Sequence, residues 1–189
     1  MLTVSTDFTF PLIVLVTFVE LFDFVTARPA APQGKTDLRK LNQDMQKLLK
    51  IVSEEYQVNM LNDFEQSLTS LPTLNVRTED LKSLELSSTL AQLYSGLKSF
   101  KFHLNWIQQK QDELGSDDSK TKNTHLIQLI NRVLTQIEKP ASELVHPSLP
   151  PLKTAWNLYQ ANVEINKKLY FFCLWYNRAL RALLKAKQS

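Results

Sequence analysis

Only three of the 189 residues are glycine, one is cysteine and three are histidine. So little glycine excludes glycine-rich phosphate loops and collagen-like repeats, and it argues against a turn-rich all-β fold. A single cysteine leaves no disulfide within the chain and no zinc site built on cysteine pairs. His103, His125 and His146 are too widely spaced for a short helical metal motif, so no metal or other cofactor is expected. No Asn-x-Ser/Thr sequon occurs, and N-glycosylation is not expected. No dense Lys/Arg block marks a nucleic-acid surface. No stretch reaches the ~18 apolar residues of a membrane span, so no membrane insertion is expected either.

What is present starts with an apolar segment at Phe8–Phe22, centred on Pro11-Leu12-Ile13-Val14-Leu15-Val16-Thr17-Phe18-Val19. It suits the h-region of a secretory signal, and Val25-Thr26-Ala27 places small residues before a cleavage point. Residues 1–27 therefore read as a signal peptide and residues 28–189 as the mature, extracellular domain. The segment departs from the pattern in having no Lys or Arg before the apolar run and in carrying Asp7, Glu20 and Asp23. A buried N-terminal helix is the alternative. Cleavage removes three acids and no base, raising the formal charge from +3 to +6. A basic secreted chain meets acidic receptor faces or, weakly, glycosaminoglycans more often than nucleic acid.

The mature chain reads as four helices. The first, over 37–58, is announced by Thr36-Asp37 as N-cap residues. Leu38, Leu41, Met45, Leu48, Val52 and Tyr56 recur at helical spacing, with Lys40, Asp44, Lys47, Lys50 and Glu54 mostly on the other face. Pro72 forbids helix through Ser70–Leu74. A short turn after Thr78 is expected, with Leu81, Leu84 and Leu86 pinning the segment to the core. The second helix, 88–112, is capped by Ser87-Ser88 and striped by Leu90, Leu93, Leu97, Phe100, Leu104 and Ile107. It fades at Leu114-Gly115. The third, 122–139, carries Leu126, Ile127, Leu129, Ile130, Val133, Leu134 and Ile137, and Pro140 stops it. The fourth runs over 152–187, with Tyr159, Val163, Leu169, Phe172, Cys173, Tyr176, Leu180 and Leu183 as core candidates.

The connections read as long, short, long, at about 27, nine and twelve residues. A short second connection makes its two helices antiparallel neighbours, and the flanking two are long enough to cross the bundle. The expected fold is all-α, a long-chain four-helix bundle running up-up-down-down with two crossover loops.

No catalytic constellation emerges. The histidines lie on different elements, and Cys173 follows Tyr170-Phe171-Phe172 in apolar surroundings that suit an inert, buried thiol. Asp117-Asp118 lacks the glycine and spaced acids of a calcium loop. The chain is not expected to be an enzyme, and binding through its surfaces remains.

Ser70-Leu71-Pro72-Thr73-Leu74, then Leu81, Leu84, Leu86, Leu90, Leu93, Leu97 and His103-Leu104-Asn105-Trp106, resembles the interleukin-11 family, of the interleukin-6 type. Pro150-Pro151, Ala155-Trp156, Ile165, Leu169, Trp175, Arg178 and Leu183-Leu184-Lys185 continue the resemblance. It covers roughly 70–107 and 150–186; the first and third helices match in pattern more than identity. Cys173 is an addition, Leu174 replaces an acid before Trp175, and the last loop has fewer prolines.

The resemblance implies a secreted cytokine that bridges a dedicated interleukin-11 α receptor and two copies of the shared β signalling receptor of the interleukin-6 family. It implies three sites. Site I, at the end of the fourth helix and part of the first crossover loop, takes Arg178, with Arg181 and Lys185 following on the same face. Trp175 lies beside it or anchors the core. Site III, at the start of the fourth helix, takes Trp156, whose alternative is packing against the Pro-rich loop. Site II, on the first and third helices, takes Arg132, which equally suits a solvated charge. A solvated face is likewise the alternative for the basic stripe, and core packing is the better reading of Trp106. The free protein is expected to be a monomer. Another helical cytokine or hormone, or a secreted lipid-binding bundle, are the rival functions.

Overall fold

The computed structural model describes residues 36–59, 68–74, 77–115, 120–140 and 147–188. The expected signal peptide, the Asp117-Asp118 pair and His146 lie outside the described residues.

The first helix, α1 (Leu38–Asn59), starts where the Asp37 carboxylate accepts the backbone N–H groups of Arg39 and Lys40, at 3.0 and 3.2 Å. Two donors that the first turn would leave orphaned are thereby satisfied. Leu41, Met45, Leu48 and Val52 are fully buried, as their spacing requires. Tyr56 is half-buried and stacks on Tyr170, with centroids 4.4 Å apart.

The second helix, α2 (Leu86–Leu114), begins before the Ser87-Ser88 pair expected to cap it. Its cap is Glu85, whose carboxylate accepts the Ser88 N–H at 2.9 Å and the Ser87 hydroxyl. The Ser87 bond and then the Ser88 amide hold the Glu85 pKa below the usual range. Leu86, expected to pin the loop to the core, is consequently exposed, and Leu81 and Leu84 are half-buried. The turn after Thr78 is a 3₁₀ helix, Thr78–Lys82, whose Asp80 carboxylate accepts the Arg77 N–H. Gly115 ends α2 in the left-handed region at φ 66°, where a side chain is strained.

The third helix, α3 (Lys120–Leu134), stops five residues short of the expected end at 139. The last turn tightens into i→i+3 bonds, Gln136 N–H to Val133 and Ile137 N–H to Leu134. The Thr135 hydroxyl and the Gln136 side-chain amide both donate to the Arg132 carbonyl, occupying an acceptor at the helix end. Pro140 lies beyond this terminus rather than making it. The fourth helix, α4 (Ala155–Ala186), starts at Thr154 rather than Leu152, with the Thr154 hydroxyl accepting the Asn157 N–H at 3.1 Å. Leu152 is buried as an anchor ahead of the helix.

Side-chain contacts fix the directions. Glu55 near the end of α1 meets Lys122 at the start of α3, and Asp44 early in α1 meets Arg132 and Gln136 at the end of α3. Those two helices are antiparallel. Lys120 with Asp112, and Gln108 with Thr124, make α2 and α3 antiparallel as well. Gln46 and Arg181 share a groove while Tyr56 stacks on Tyr170, so α1 and α4 also run in opposite directions. Asn123 and Asn162 pair the starts of α3 and α4, which are parallel. The described helices α1 and α2 do not pack on each other, nor do the α3 and α4 backbones; each instead packs on its antiparallel neighbours. This is the all-α, up-up-down-down four-helix bundle. Residues 60–85 and 135–154 are its long connections and 115–119 the short one.

The described part of the first crossover is clasped to the bundle. Leu68 and Leu71 are buried, and the Lys168 ammonium donates to the Leu68 carbonyl at 3.1 Å. His103 is fully buried, its Nδ1–H donating to the Ser99 carbonyl while Nε2 accepts the Ser70 hydroxyl, both at 2.8 Å. Burial lowers the His103 pKa against the opposing Ser99 bond, and the Lys168 charge lowers it further, so the ring is neutral. A histidine that could have been read as chemical is a fastener.

Gly96 lies inside α2, where glycine weakens a helix. It is there for space. A Cβ at this position would overlap the Phe172 ring, which packs edge-on against Phe100 at 5.2 Å and against Tyr176 at 4.5 Å. Cys173, beside Phe172, is fully buried, and burial pushes its thiol pKa far upward. The thiol is neither nucleophile nor available for a bond to another chain.

Candidate binding surfaces

The start of α4 presents an aromatic pair. Leu152 and Leu158 are buried on either side of the Thr154 cap, which fixes the rotation of the first turn and turns Trp156 outward. Trp156 is 59% exposed. Its ring stacks on Tyr159, with centroids 5.7 Å apart and planes at 27°. Tyr159 was expected in the core and is 39% exposed. Leu158 and Ala161 take the inward directions around it, and the i, i+3 spacing carries Tyr159 to the Trp156 side.

The other end of α4 is basic. Arg178, Arg181 and Lys185 are all exposed. Trp175 is half-buried and packs against the core. Leu174 is half-buried in the groove between α1 and α4. Phe171, 46% exposed, precedes Arg178 by seven residues and so shares its face. Sequence reading missed Phe171 by treating Tyr170-Phe171-Phe172 as one apolar block. Adjacent helical residues point ~100° apart, so three consecutive aromatics cannot all face one core. Phe172 takes the core, Tyr170 stacks on Tyr56, and Phe171 meets Tyr56 edge-on at 5.5 Å from the surface.

The third surface lies between α1 and α3. Asp44, expected on the polar side of α1, is 3% exposed. It accepts from Lys47 Nζ at 3.1 Å and from Gln136 Nε2 at 2.8 Å, and Arg132 Nε stands 3.3 Å from its Oδ2. Burial raises the Asp44 pKa. The hydrogen bonds from Lys47 and Gln136, with the Arg132 and Lys47 charges, outweigh it, and the net direction is down. Arg132 is thus an exposed guanidinium held from beneath, not a freely solvated charge.

Asp44→Asn is expected to lower the unfolding free energy by about 1.5–3 kcal/mol at neutral pH, the usual worth of a hydrogen bond to a charged group. Because the folded pKa is depressed below 3.8, the contribution is full above that value and is lost as pH falls through the lowered one. Urea melts of both proteins check this: the gap closes in acid, where the native side chain is protonated. A gap that persists there contradicts the account.

Trp106 is half-buried against the core, as its sequence reading has it. Among the described residues, no group of three or more His, Cys, Asp or Glu could hold a metal ion, and no helix is long and apolar enough to cross a membrane. The site residues do not converge on one pocket. They form three separate surfaces, two of them at opposite ends of α4. Residues 29–188 match the family model described as Interleukin 11. No curated protein matches the chain.

Proposed function

This chain belongs to the interleukin-11 family and is an interleukin-6-type helical cytokine; from that premise we propose that it bridges a dedicated α receptor and two copies of the shared β signalling receptor. The observation that carries the proposal is the layout of α4. One unbroken helix holds an exposed Trp156 in its first turn and exposed cations in its last turns. The 22 residues between Trp156 and Arg178 span ~33 Å, far enough for two partners to bind without touching the same surface.

In this reading Arg178, Arg181 and Lys185 meet an acidic patch of the α receptor, with Trp175 supporting the turn from beneath. Trp156 fills a pocket on one signalling receptor at site III. Arg132, steadied by Asp44, serves the other at site II. Bridging is non-covalent, and juxtaposed receptors activate their associated intracellular kinases. The protein reaches them by secretion, with residues 1–27 removed. Membership of this family disfavours the lipid-carrier alternative.

The test is binding to an α-receptor ectodomain. Arg178→Ala is expected to weaken that step by about 10- to 100-fold, the range for truncating a central arginine in an interface. Thermal unfolding stays unchanged because the side chain is exposed. Wild-type affinity in the variant removes Arg178 from site I, and no binding by the wild-type protein removes the α-receptor assignment.

A further inference from the structure

The groove between α1 and α4 lies beside the basic end of α4 and is not used by the receptor reading as a pocket. It has a volume of about 380 Å³ and is lined by Gln46, Leu49, Lys50 and Ser53 of α1 and by Tyr170, Leu174, Asn177 and Arg181 of α4. It contains two cations and no acid. Lys50 and Arg181 make no ion pair among the described residues.

The cause of that imbalance is visible elsewhere in the bundle. Of the three acids on α1, Asp44 and Glu55 turn toward α3 and pair with Arg132 and Lys122. Glu54 does not line the groove. On α4 the last acid is Glu164, paired with Lys168, and residues 165–188 hold six Lys or Arg and no Asp or Glu. Charge on the α1/α3 face is thus neutralised within the fold, and charge on the α1/α4 face is not. Beneath these cations the groove floor includes Asn177, which is 5% exposed, and its rim includes the polar side chains of Gln46 and Ser53.

We propose that this groove binds a sulfated glycosaminoglycan, with Lys50 and Arg181 holding sulfate groups and the Ser53 and Gln46 side chains meeting sugar hydroxyls. An acidic peptide side chain offers acceptors alone. A sulfated sugar offers anions and hydroxyl groups together, which suits two unpaired cations flanked by the Gln46 amide and the Ser53 hydroxyl. The chain of a glycosaminoglycan can continue beyond the groove along Arg178 and Lys187. Bound there, the cytokine is retained in the matrix near the cells that release it. The glycan path shares Arg181 and Arg178 with the proposed α-receptor surface, so the two ligands compete for that end of α4.

The experiment measures binding of the protein, purified from cells expressing the full chain, to immobilised heparin at about 0.15 M salt. De-sulfated heparin is the control surface. Lys50→Gln with Arg181→Gln is expected to weaken binding at least tenfold. Arg39→Gln with Lys40→Gln removes the same charge from exposed positions of α1 outside the groove, and is expected to cost less than threefold. Equal losses in the two pairs, equal binding to de-sulfated heparin, or no heparin binding by the wild-type protein overturns the proposal. Lys50→Gln alone is measured on the α-receptor ectodomain too. It lies outside the Arg178 surface, so retained receptor binding with lost heparin binding separates the two functions. Heparin binding that Lys50→Gln leaves unchanged overturns the glycan site.

Discussion

Trp156→Ala leaves binding to the α receptor intact and blocks the final assembly with the signalling receptor. This is the largest functional effect expected of any single substitution in the chain. The indole is 59% exposed, so its removal opens no cavity and does not destabilise the bundle. Its value is realised only when a partner covers it. Buried tryptophans at interface centres cost about 2–4 kcal/mol when truncated, or roughly 30- to 1,000-fold in affinity. Stacking on Tyr159 restricts the ring before binding, so less freedom is lost on docking. The measurement is two-step: α-receptor binding, then capture of the signalling receptor by the preformed pair. Weakening of both steps alike would place Trp156 in the wrong site, and full assembly by the variant would remove it from any.

Gly96→Ala is expected to destabilise the protein by about 1–3 kcal/mol, the cost of overpacking a filled core. The opposite sign is a real competitor, because alanine in a helix interior is favoured over glycine by about 1 kcal/mol. Packing decides. The added methyl group meets the Phe172 ring, which is 2% exposed and packed on Phe100 and Tyr176; yielding toward the cavity that Gly96, Phe172 and Tyr176 line would break those ring contacts. A surface glycine would respond in the other direction. The check is chemical unfolding of Gly96→Ala, Phe172→Leu and the double variant. Loss in each single variant, with the double variant better than their sum, shows that the two side chains compete for one volume. An additive result, or a stabilised Gly96→Ala, means that Phe172 relaxes freely.

Hydrophobic period carries far in this chain. The α1 stripe from Leu41 to Val52 and the α2 stripe from Leu93 to Ile107 are buried where their spacing puts them. Connection lengths then suffice for the topology, because a five-residue link can join only antiparallel neighbours. Asp44 shows what a period cannot carry. A helical wheel separates inward from outward, but a bundle helix also has flanks, and which neighbour's polar groups cover a flank is a tertiary fact. Asp44 lies on the α3 flank, so a residue that looks solvated is buried against Arg132 and Gln136. Tyr159 fails in the opposite sense, apolar enough for the core but carried outward by the rotation that the Thr154 cap imposes. The end of α3 depends on side-chain bonds to one carbonyl, which composition does not reveal. The candidate site residues came from resemblance rather than period. What period could have added is Phe171, since three adjacent aromatics exceed the width of one helical face.

Because α4 contains neither glycine nor proline, nothing along it absorbs a change of phase. Twenty-two steps of ~100° leave Trp156 and Arg178 pointing within about 40° of each other around the helix axis. The helix is a protractor as well as a ruler: it sets the angle at which two receptors approach, not only their separation. Substitutions between the two ends leave that angle alone, whereas one inserted residue turns one surface by ~100° against the other. The stretch between them is therefore free to vary in composition within the limits of the core, but not in length.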